Sequence, residues 1–251
     1  MITLKTNDWE LNNIKTVLFD KDGTFIDLHF FWGKMTEMRV SALLSFYNIP
    51  DLYFERLCAF LGYDYNLKKM HKNGITALYS RQKIIEILKV NLTELEVFAT
   101  KSDLENIFDS VSDEFYKNSE LYTKPILPAI DFIEKLRNKG VQTGIVTSDS
   151  VVSTKLTLKQ FNWEHLFDVF VGRESSDKNK ESGELTKIAL DKLSANAKST
   201  VMIGDAPMDY LSAKNAGIDN VILVASGQLG LNDLMQVSNC VVNSLSQVTI
   251  I

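Results

Sequence analysis

Two aspartates that lie one residue apart follow the apolar run Val17–Phe19, and they are the groups in this chain with the clearest capacity for chemistry. The run predicts a strand, which would place Asp20 and Asp22 at the carboxyl edge of a sheet, where open α/β folds bind ligands. Gly23 permits a sharp turn beside them. Converging carboxylates repel each other unless a cation or a proton separates them. The pattern indicates a magnesium-dependent phosphoryl-transfer site with a nucleophilic aspartate, although an ordinary Asp/Gly turn would have the same sequence.

Two later predicted strands also end in polar groups. The run Gly144–Val146 precedes Thr147-Ser148-Asp149, whose hydroxyls and backbone donors at a helix start suit an anion, or a simple helix cap. The run Val201–Ile203 precedes Asp205 and Asp209, which at i and i+4 can point the same way. Magnesium needs only a few carboxylates because it keeps several waters. The alternative is a helix with favourable acids in its first turn.

A polar loop over residues 177–184 leads into a predicted helix and contains two lysines, Lys178 and Lys180. A lysine at this place could neutralise a phosphate and the neighbouring carboxylates. Most exposed loop lysines are simply solvated, so the loop alone does not choose between the two interpretations.

The remaining sequence predicts the elements that would position these groups. Short continuous apolar runs are typical of strands buried on both faces of a parallel sheet. They lie at Val17–Phe19, Gly144–Val146, Val169–Val171, Val201–Ile203, Val221–Val224 and Val241–Val242. Helical patterns alternate with the later runs, at Ala129–Lys139, Val151–Phe161, Glu184–Leu193 and Met208–Ala216. This alternation predicts an α/β fold with a doubly wound, mostly parallel sheet.

The segment 26–124 has a different character, with amphipathic helical patterns and no convincing buried strand. We therefore expect an α/β core domain made of residues 1–25 and 125–251, with an all-helical domain of residues 26–124 inserted after the first strand. Pro125 and Pro128 suit a stiff return to the core.

Composition limits the classes of function. The net charge of −5 leaves no basic surplus for nucleic acid. The two cysteines, Cys58 and Cys240, form no disulfide framework. The polar start lacks the core of a signal peptide, and no apolar run is long enough to span a membrane. These features predict a cytoplasmic protein with a small-molecule partner and no nucleic-acid or membrane partner, either a monomer or a homodimer.

The four polar segments, taken in order, resemble the haloacid dehalogenase (HAD)-like hydrolases, in particular the helical-cap, phosphoglycolate-phosphatase-like members. Asp20–Thr24 is similar to the family's first motif and Thr147 to its second. Lys180 is similar to the third motif and Gly204–Asp209 to the fourth. The helical insert after the first motif looks like the family's cap, so the resemblance covers the whole chain and implies a Rossmann-like core.

The resemblance implies a magnesium-dependent phosphatase and assigns roles to matched residues. Asp20 would attack phosphorus and form an aspartyl-phosphate, and Asp22 would serve as general acid and base. The implied magnesium ligands are Asp20, the backbone carbonyl of Asp22, Asp205 and Asp209. The implied phosphate-binding groups are Thr147, the amide of Ser148 and Lys180, with Thr147 and Lys180 counted as catalytic too.

The chain departs from the family pattern at two positions. Glu181 stands where proline is usual, and Lys178 therefore competes with Lys180 for the third motif. Ala206 stands where a hydroxyl residue is frequent, which we expect to loosen hydrogen bonding around the metal ligands without removing one.

The substrate is expected to be a small phosphorylated metabolite, phosphoglycolate or a sugar phosphate, recognised by the inserted domain. The candidates for this recognition are His29, Arg39, His71, Lys72 and Asn73. Each is also compatible with packing or with an ordinary solvated turn.

Two other functions are compatible with the same motifs. A phosphosugar mutase of the β-phosphoglucomutase type would keep them all and return the phosphoryl group to its substrate. A non-catalytic regulator would bind a phosphometabolite without turning it over.

Overall fold

The computed structural model describes the backbone of residues 1–251 and all side chains except those of residues 77 and 78. The strands are β1 Ile2–Lys5, β2 Glu10–Ile14, β3 Thr16–Phe19, β4 Tyr63–Asp64, β5 Lys69–Met70, β6 Gln142–Val146, β7 Val169–Val171, β8 Thr200–Gly204, β9 Asn220–Val224, β10 Val241–Val242 and β11 Thr249–Ile250. The α-helices are α1 Leu28–Tyr47, α2 Phe54–Phe60, α3 Ile75–Leu78, α4 Arg81–Thr93, α5 Lys101–Lys117, α6 Ser119–Tyr122, α7 Leu127–Asn138, α8 Val151–Gln160, α9 Glu184–Leu193, α10 Pro207–Asn215 and α11 Leu231–Leu234. Short 3-10 helices lie at Asp51–Tyr53, Glu164–Leu166, Arg173–Ser175, Lys180–Ser182, Ala197–Ser199 and Leu245–Gln247.

Six strands form one parallel sheet in the order β10-β9-β8-β3-β6-β7. Every residue of the central strands β3 and β8 is buried, which is why apolar residues follow one another after the first threonine of each strand instead of alternating with polar ones. Helices connect successive strands of the sheet. The predicted α/β fold with a doubly wound parallel sheet is confirmed.

The register of the sheet brings the functional strand ends together. Phe19 of β3 pairs with Ile145 of β6 on one side and with Ile203 of β8 on the other. The residue after Phe19 is therefore level with the last residues of both neighbours. The first, second and fourth polar segments consequently leave the sheet at one edge.

A second sheet was not predicted from the sequence. It has three antiparallel strands in the order β11-β1-β2, so the last strand of the chain pairs with the first. The side chains of Ile2 and Leu4 alternate with half-buried residues, as expected of a sheet covered on one face. The pairing of β1 with β11 joins the two ends of the chain, and local periodicity does not reveal such a long-range contact.

The chain divides into two compact units. One consists of Met1–Asp27 and Lys124–Ile251 and contains both of these sheets. The other, Leu28–Thr123, contains α1 to α6 and the two-stranded hairpin of β4 and β5, which the sequence did not predict. This helical unit has a hydrophobic core of its own, to which α1, α2, α4 and α5 contribute. Its function as a cap stays a prediction.

Among the described residues, none of the helices combines the length and apolar character that crossing a membrane requires.

Candidate active site

Asp20 is positioned by the central strand of the sheet. Its backbone N–H donates to the carbonyl of Ile203 over 2.8 Å, which continues the β3–β8 pairing by one residue. The residue is 8% exposed. The chain then turns at Gly23, whose φ of 88° is in the left-handed region and whose N–H donates to the carbonyl of Ile26 over 2.8 Å. The turn holds Asp20 at the sheet edge.

Lys180 is buried against this aspartate. Its Nζ lies 2.5 Å from Oδ1 of Asp20 and 2.6 Å from Oδ1 of Asp209. Lys178, in contrast, has a 67% exposed side chain and lies 3.8 Å from the Glu184 carboxylate. The structure therefore brings Lys180, rather than Lys178, to the carboxylates.

Asp209 is oriented by the start of α10. Its Oδ2 accepts a hydrogen bond from the backbone N–H of Ala206 over 3.1 Å, while its Oδ1 faces Lys180. Its carboxylate also packs directly against Gly204, where a Cβ would overlap it. A backbone amide holds the aspartate, so the alanine at position 206 does not disturb this contact.

Asp205 lies between two glycines. A Cβ built on either Gly23 or Gly227 would lie 2.5 Å from the Cγ of Asp205, much closer than side chains approach each other. The hydroxyl of Ser226 donates to the Gly23 carbonyl over 2.6 Å, which joins the loop after β9 to the first turn. The sequence analysis missed Ser226 and Gly227, because a Ser-Gly pair in a loop has no signal beyond turn propensity.

Three of these carboxylates form a candidate metal site. Asp20, Asp205 and Asp209 each offer an oxygen, and the three oxygens lie within 4.8 Å of one another. All three residues are buried. Carboxylate oxygens are the ligands that hard cations such as Mg²⁺ prefer, so this donor set fits magnesium. The carboxylate of Asp22 lies instead 3.0 Å from the Nζ of Lys21.

Burial dominates the electrostatics of this group. It raises the pKa of Asp20 to about 7, even though the neighbouring Lys180 lowers it, and the charge of Asp209 adds to the increase. Burial, followed by the charge of Asp20, also raises the pKa of Asp205 well above its usual range. Burial opposes the charge of Lys180, but the two carboxylates beside it raise its pKa. One lysine therefore does not balance three buried carboxylates, and a divalent cation would relieve the excess negative charge.

The second polar segment lies at the end of the neighbouring strand β6. Thr147 is buried, and its hydroxyl accepts from the backbone N–H of Asp149 over 3.0 Å. Ser148 is exposed, with its hydroxyl 3.5 Å from the Met208 sulfur. The cap of α8 is Ser150, which accepts from the N–H of Ser153. The helix cap is therefore Ser150, and none of Thr147, Ser148 and Asp149 takes that place.

The structure adds two charged residues that the sequence analysis did not select, Lys21 and Asp149. The Lys21 side chain is fully buried, with Nζ 3.0 Å from Oδ1 of Asp22 and 3.0 Å from Oδ2 of Asp149. Burial opposes ionisation of Asp149, but the charge of Lys21 lowers its pKa below the usual range. A lysine between two aspartates in sequence looks like an exposed residue, so no signal indicated its burial.

Two candidate substrate residues lie on α1 of the helical unit. The Nδ1 of His29 accepts a hydrogen bond from the backbone N–H of Met70 over 3.1 Å, which links α1 to the hairpin. Arg39 is 7% exposed, and its guanidinium carbon lies 4.4 Å from the centre of the Phe108 ring. Both side chains have a packing contact within this unit, and their role in substrate binding stays a prediction.

The other three candidates, His71, Lys72 and Asn73, are exposed in the loop between β5 and α3. The loop is closed at its base by the close approach of Gly62 and Gly74 and by a hydrogen bond from the N–H of His71 to the Gly62 carbonyl. Their role in substrate recognition also stays a prediction.

The comparisons with a family model and with curated proteins agree on one family. The model of the haloacid dehalogenase-like hydrolases matches residues 14–217. A pyrophosphatase PpaX from Halalkalibacterium halodurans is 24% identical over 84% of this chain and 83% of that protein. A phosphoglycolate phosphatase from Aquifex aeolicus is 24% identical over 81% of this chain and 82% of that protein.

Solved structures have the same fold. The crystal structure of a predicted phosphoglycolate phosphatase from Haemophilus somnus superimposes with a TM-score of 0.71 at 16% identity, over 94% of this chain and 96% of that one. The family match includes three strand ends with the buried carboxylates and the loop that carries Lys180. The chain belongs to the haloacid dehalogenase-like hydrolases, as the four motifs predicted, and its relatives support phosphatase activity.

Proposed function

We propose that the chain is a magnesium-dependent phosphatase that hydrolyses a small phosphorylated metabolite, phosphoglycolate or a sugar phosphate, through an aspartyl-phosphate on Asp20. The observation that carries the proposal is the buried contact of Lys180 with both Asp20 and Asp209, next to Asp205. A nucleophile, a cation and metal-binding oxygens at one sheet edge are the parts that phosphoryl transfer requires.

Asp20 is the proposed nucleophile. Burial favours its neutral form, whereas attack requires the carboxylate; the Lys180 ammonium at 2.5 Å favours the ionised form, and a bound cation would favour it further. The same lysine would neutralise charge on the phosphoryl oxygens, together with donors from Thr147 and Ser148. Magnesium, held by Asp20, Asp205 and Asp209 and by the Asp22 carbonyl, would supply charge neutralisation and orientation.

Asp22 is the proposed general acid and base. In the first step a carboxylate oxygen of Asp20 bonds to phosphorus, the bond to the leaving oxygen breaks, and Asp22 donates a proton to that oxygen. In the second step Asp22 takes a proton from water. The resulting oxygen attacks phosphorus, releasing inorganic phosphate and restoring the Asp20 carboxylate. The Asp22 side chain is 13% exposed, so water and a leaving group can reach it.

The proposed substrate class follows from the relatives. One is named as a pyrophosphatase and another as a phosphoglycolate phosphatase, so both names describe release of phosphate from a small molecule. The net charge of −5 agrees with such substrates, because it disfavours a polyanionic macromolecule. Pyrophosphate belongs in any substrate panel beside phosphoglycolate and the sugar phosphates.

The test is release of inorganic phosphate from this panel, with magnesium and with EDTA, for the wild type and Asp20→Asn. We expect magnesium-dependent turnover of at least one compound by the wild type and a loss of at least about 10³-fold in Asp20→Asn. Asp191→Asn, an exposed aspartate of α9, is the matched control and should retain wild-type activity. A protein without turnover would be a binding protein, and transfer that needs a bisphosphate activator would indicate a mutase; either result refutes the proposal.

A further inference from the structure

We propose that Lys21 and Asp149 are positioning residues for the reaction, because their buried ion pair joins the loop that carries the nucleophile to the loop that carries the phosphate-binding groups. The inference rests on the proposed function, since it assigns a role within that same site. Neither residue is among the motif positions that the family resemblance assigned.

The pair connects two strand ends that are far apart in sequence. Lys21 follows Asp20 in the turn after β3, and Asp149 follows Thr147 and Ser148 after β6, 128 residues later. The Nζ of Lys21 lies 3.0 Å from Oδ2 of Asp149. This contact therefore fixes the distance between the two loops at the level of their side chains.

Both partners are also held from the other side. The Lys21 carbonyl accepts the N–H groups of Thr24, Phe25 and Ile26 at 3.1–3.3 Å, so this residue forms the base of the first turn. The Oδ1 of Asp149 accepts the N–H of Ser150 over 2.8 Å, and its carbonyl accepts the N–H of Arg173 over 3.0 Å. Each end of the ion pair thus belongs to a residue that other hydrogen bonds hold in place.

Lys21 also contacts the proposed acid/base. Its Nζ lies 3.0 Å from Oδ1 of Asp22, at the same distance as from Asp149. The Lys21 side chain is fully buried, and both carboxylates that its Nζ contacts belong to loops of the proposed site. We therefore expect Lys21 to influence the reaction through the groups that it contacts, which include the carboxylate of Asp22 and the loop of Asp149.

Stability alone does not explain such a pair. Replacing a buried ion pair by apolar residues of similar size is often neutral or stabilising, because the charges are desolvated. Removing only one partner is destabilising, because the other charge is left buried. These two facts allow the structural and the positioning effects of the pair to be separated by a double substitution.

The experiment compares Lys21→Met, Asp149→Asn and Lys21→Met/Asp149→Asn, using magnesium-dependent hydrolysis of p-nitrophenyl phosphate and thermal unfolding. We expect Lys21→Met to lower both Tm and kcat, the latter by about 10- to 100-fold, while KM changes by less than about threefold. The double variant should recover part of the lost Tm, because residue 149 is then uncharged and only the Asp22 carboxylate has lost its contact with Lys21. Its kcat should stay low, because Asp22 still lacks Lys21.

The pair of Arg137 and Asp168 provides the matched control. It is an ion pair in the same unit, and its side chains are about one third exposed. The hydrogen bonds described for it go to Val141 and Thr143, which are not among the proposed catalytic groups. Arg137→Met and Asp168→Asn should lower Tm without changing kcat by more than about twofold.

Recovery of kcat to within about twofold of the wild type in the double variant would overturn the positioning role and leave a structural one. If Lys21→Met does not fold, the double variant decides by the same criterion. Failure of the proposed function is a distinct result, because the wild type and Asp20→Asn would then behave alike.

Discussion

The two glycines that enclose Asp205 allow steric and conformational effects to be separated. Gly23→Ala places a methyl group 2.5 Å from the Cγ of Asp205, whereas ordinary contacts begin at 3.4 Å. It also forces alanine to adopt a φ of 88°. Gly227→Ala has no positive φ and places its methyl group 1.6 Å from Oδ2 of Asp205, closer than the 2.4 Å of Gly23→Ala. Gly140→Ala has a φ of 72° but no atom within 4 Å of the new methyl.

The expected magnitudes follow from these contacts. Adopting the left-handed region costs a non-glycine residue about 1–2 kcal/mol, so Gly140→Ala should lower the free energy of unfolding by that amount and leave kcat unchanged. Relieving these contacts requires the Asp205 carboxylate to retreat by about 1 Å in Gly23→Ala and by more in Gly227→Ala, and a displacement of about 1 Å at a reacting centre costs about 100-fold in rate. Gly227→Ala should therefore lose at least about 100-fold in kcat, and Gly23→Ala should lose about 100-fold in kcat as well as the conformational free energy.

The assay is urea unfolding at one pH for all three variants, combined with kcat on the substrate selected by the panel. Unfolding measures the conformational cost, and the rate measures the displacement of Asp205. Equal kcat values for Gly23→Ala and Gly140→Ala would refute the reasoning, because the carboxylate of Asp205 would then not matter at its present position.

Three further predictions concern charge. Lys180→Met should abolish turnover and lower the free energy of unfolding by about 3–5 kcal/mol, because it leaves two buried carboxylates unpaired. Lys178→Met, at the surface, should change the free energy of unfolding by less than about 1 kcal/mol. Urea unfolding and phosphate release check both variants. Magnesium at 100 times its dissociation constant should stabilise the wild type by about 2.7 kcal/mol, and Asp209→Asn should lose most of this shift in a thermal unfolding assay with EDTA as reference. In EDTA, the free energy of unfolding should fall as pH rises from about 4 to 7, because unfolded Asp20 loses its proton in this range while folded Asp20, with a pKa of about 7, retains it. The largest decrease that this one group can cause is on the order of 4 kcal/mol. A series of urea unfolding curves in which Asp20→Asn shows the same decrease with pH as the wild type would contradict the prediction.

Much of the α/β fold was predictable because its strands are buried on both faces. The run Val201–Ile203 lies within β8, whose every residue is buried, so its continuous apolar sequence has one simple explanation. Helix α9 occupies Glu184–Leu193, with the predicted bounds. The pairing of β1 with β11 could not be predicted in this way, since a strand's sequence does not identify a partner at the opposite end of the chain.

The candidate site was predictable only in part. Strand ends that carry acids are visible in the sequence, and the structure brings Asp20, Asp205 and Asp209 together. Which lysine joins them was not decidable, because Lys178 and Lys180 have similar sequence surroundings. The choice depends on the 3-10 helix Lys180–Ser182, which buries one lysine and leaves the other at the surface.

The contacts of Lys21 explain why the sequence did not identify it as a site residue. Patterns identify residues by type and spacing, and a lysine between two aspartates is most often a solvated residue. In the fold, Lys21 is buried between Asp22 and Asp149, which follow two different strands, and this pairing is not visible in the sequence. The two buried lysines then have separate tasks, since Lys180 contacts the nucleophile and Lys21 contacts the proposed acid/base. A substitution of Lys180 should therefore impair phosphoryl transfer directly, whereas one of Lys21 should act through the geometry of its two carboxylate partners.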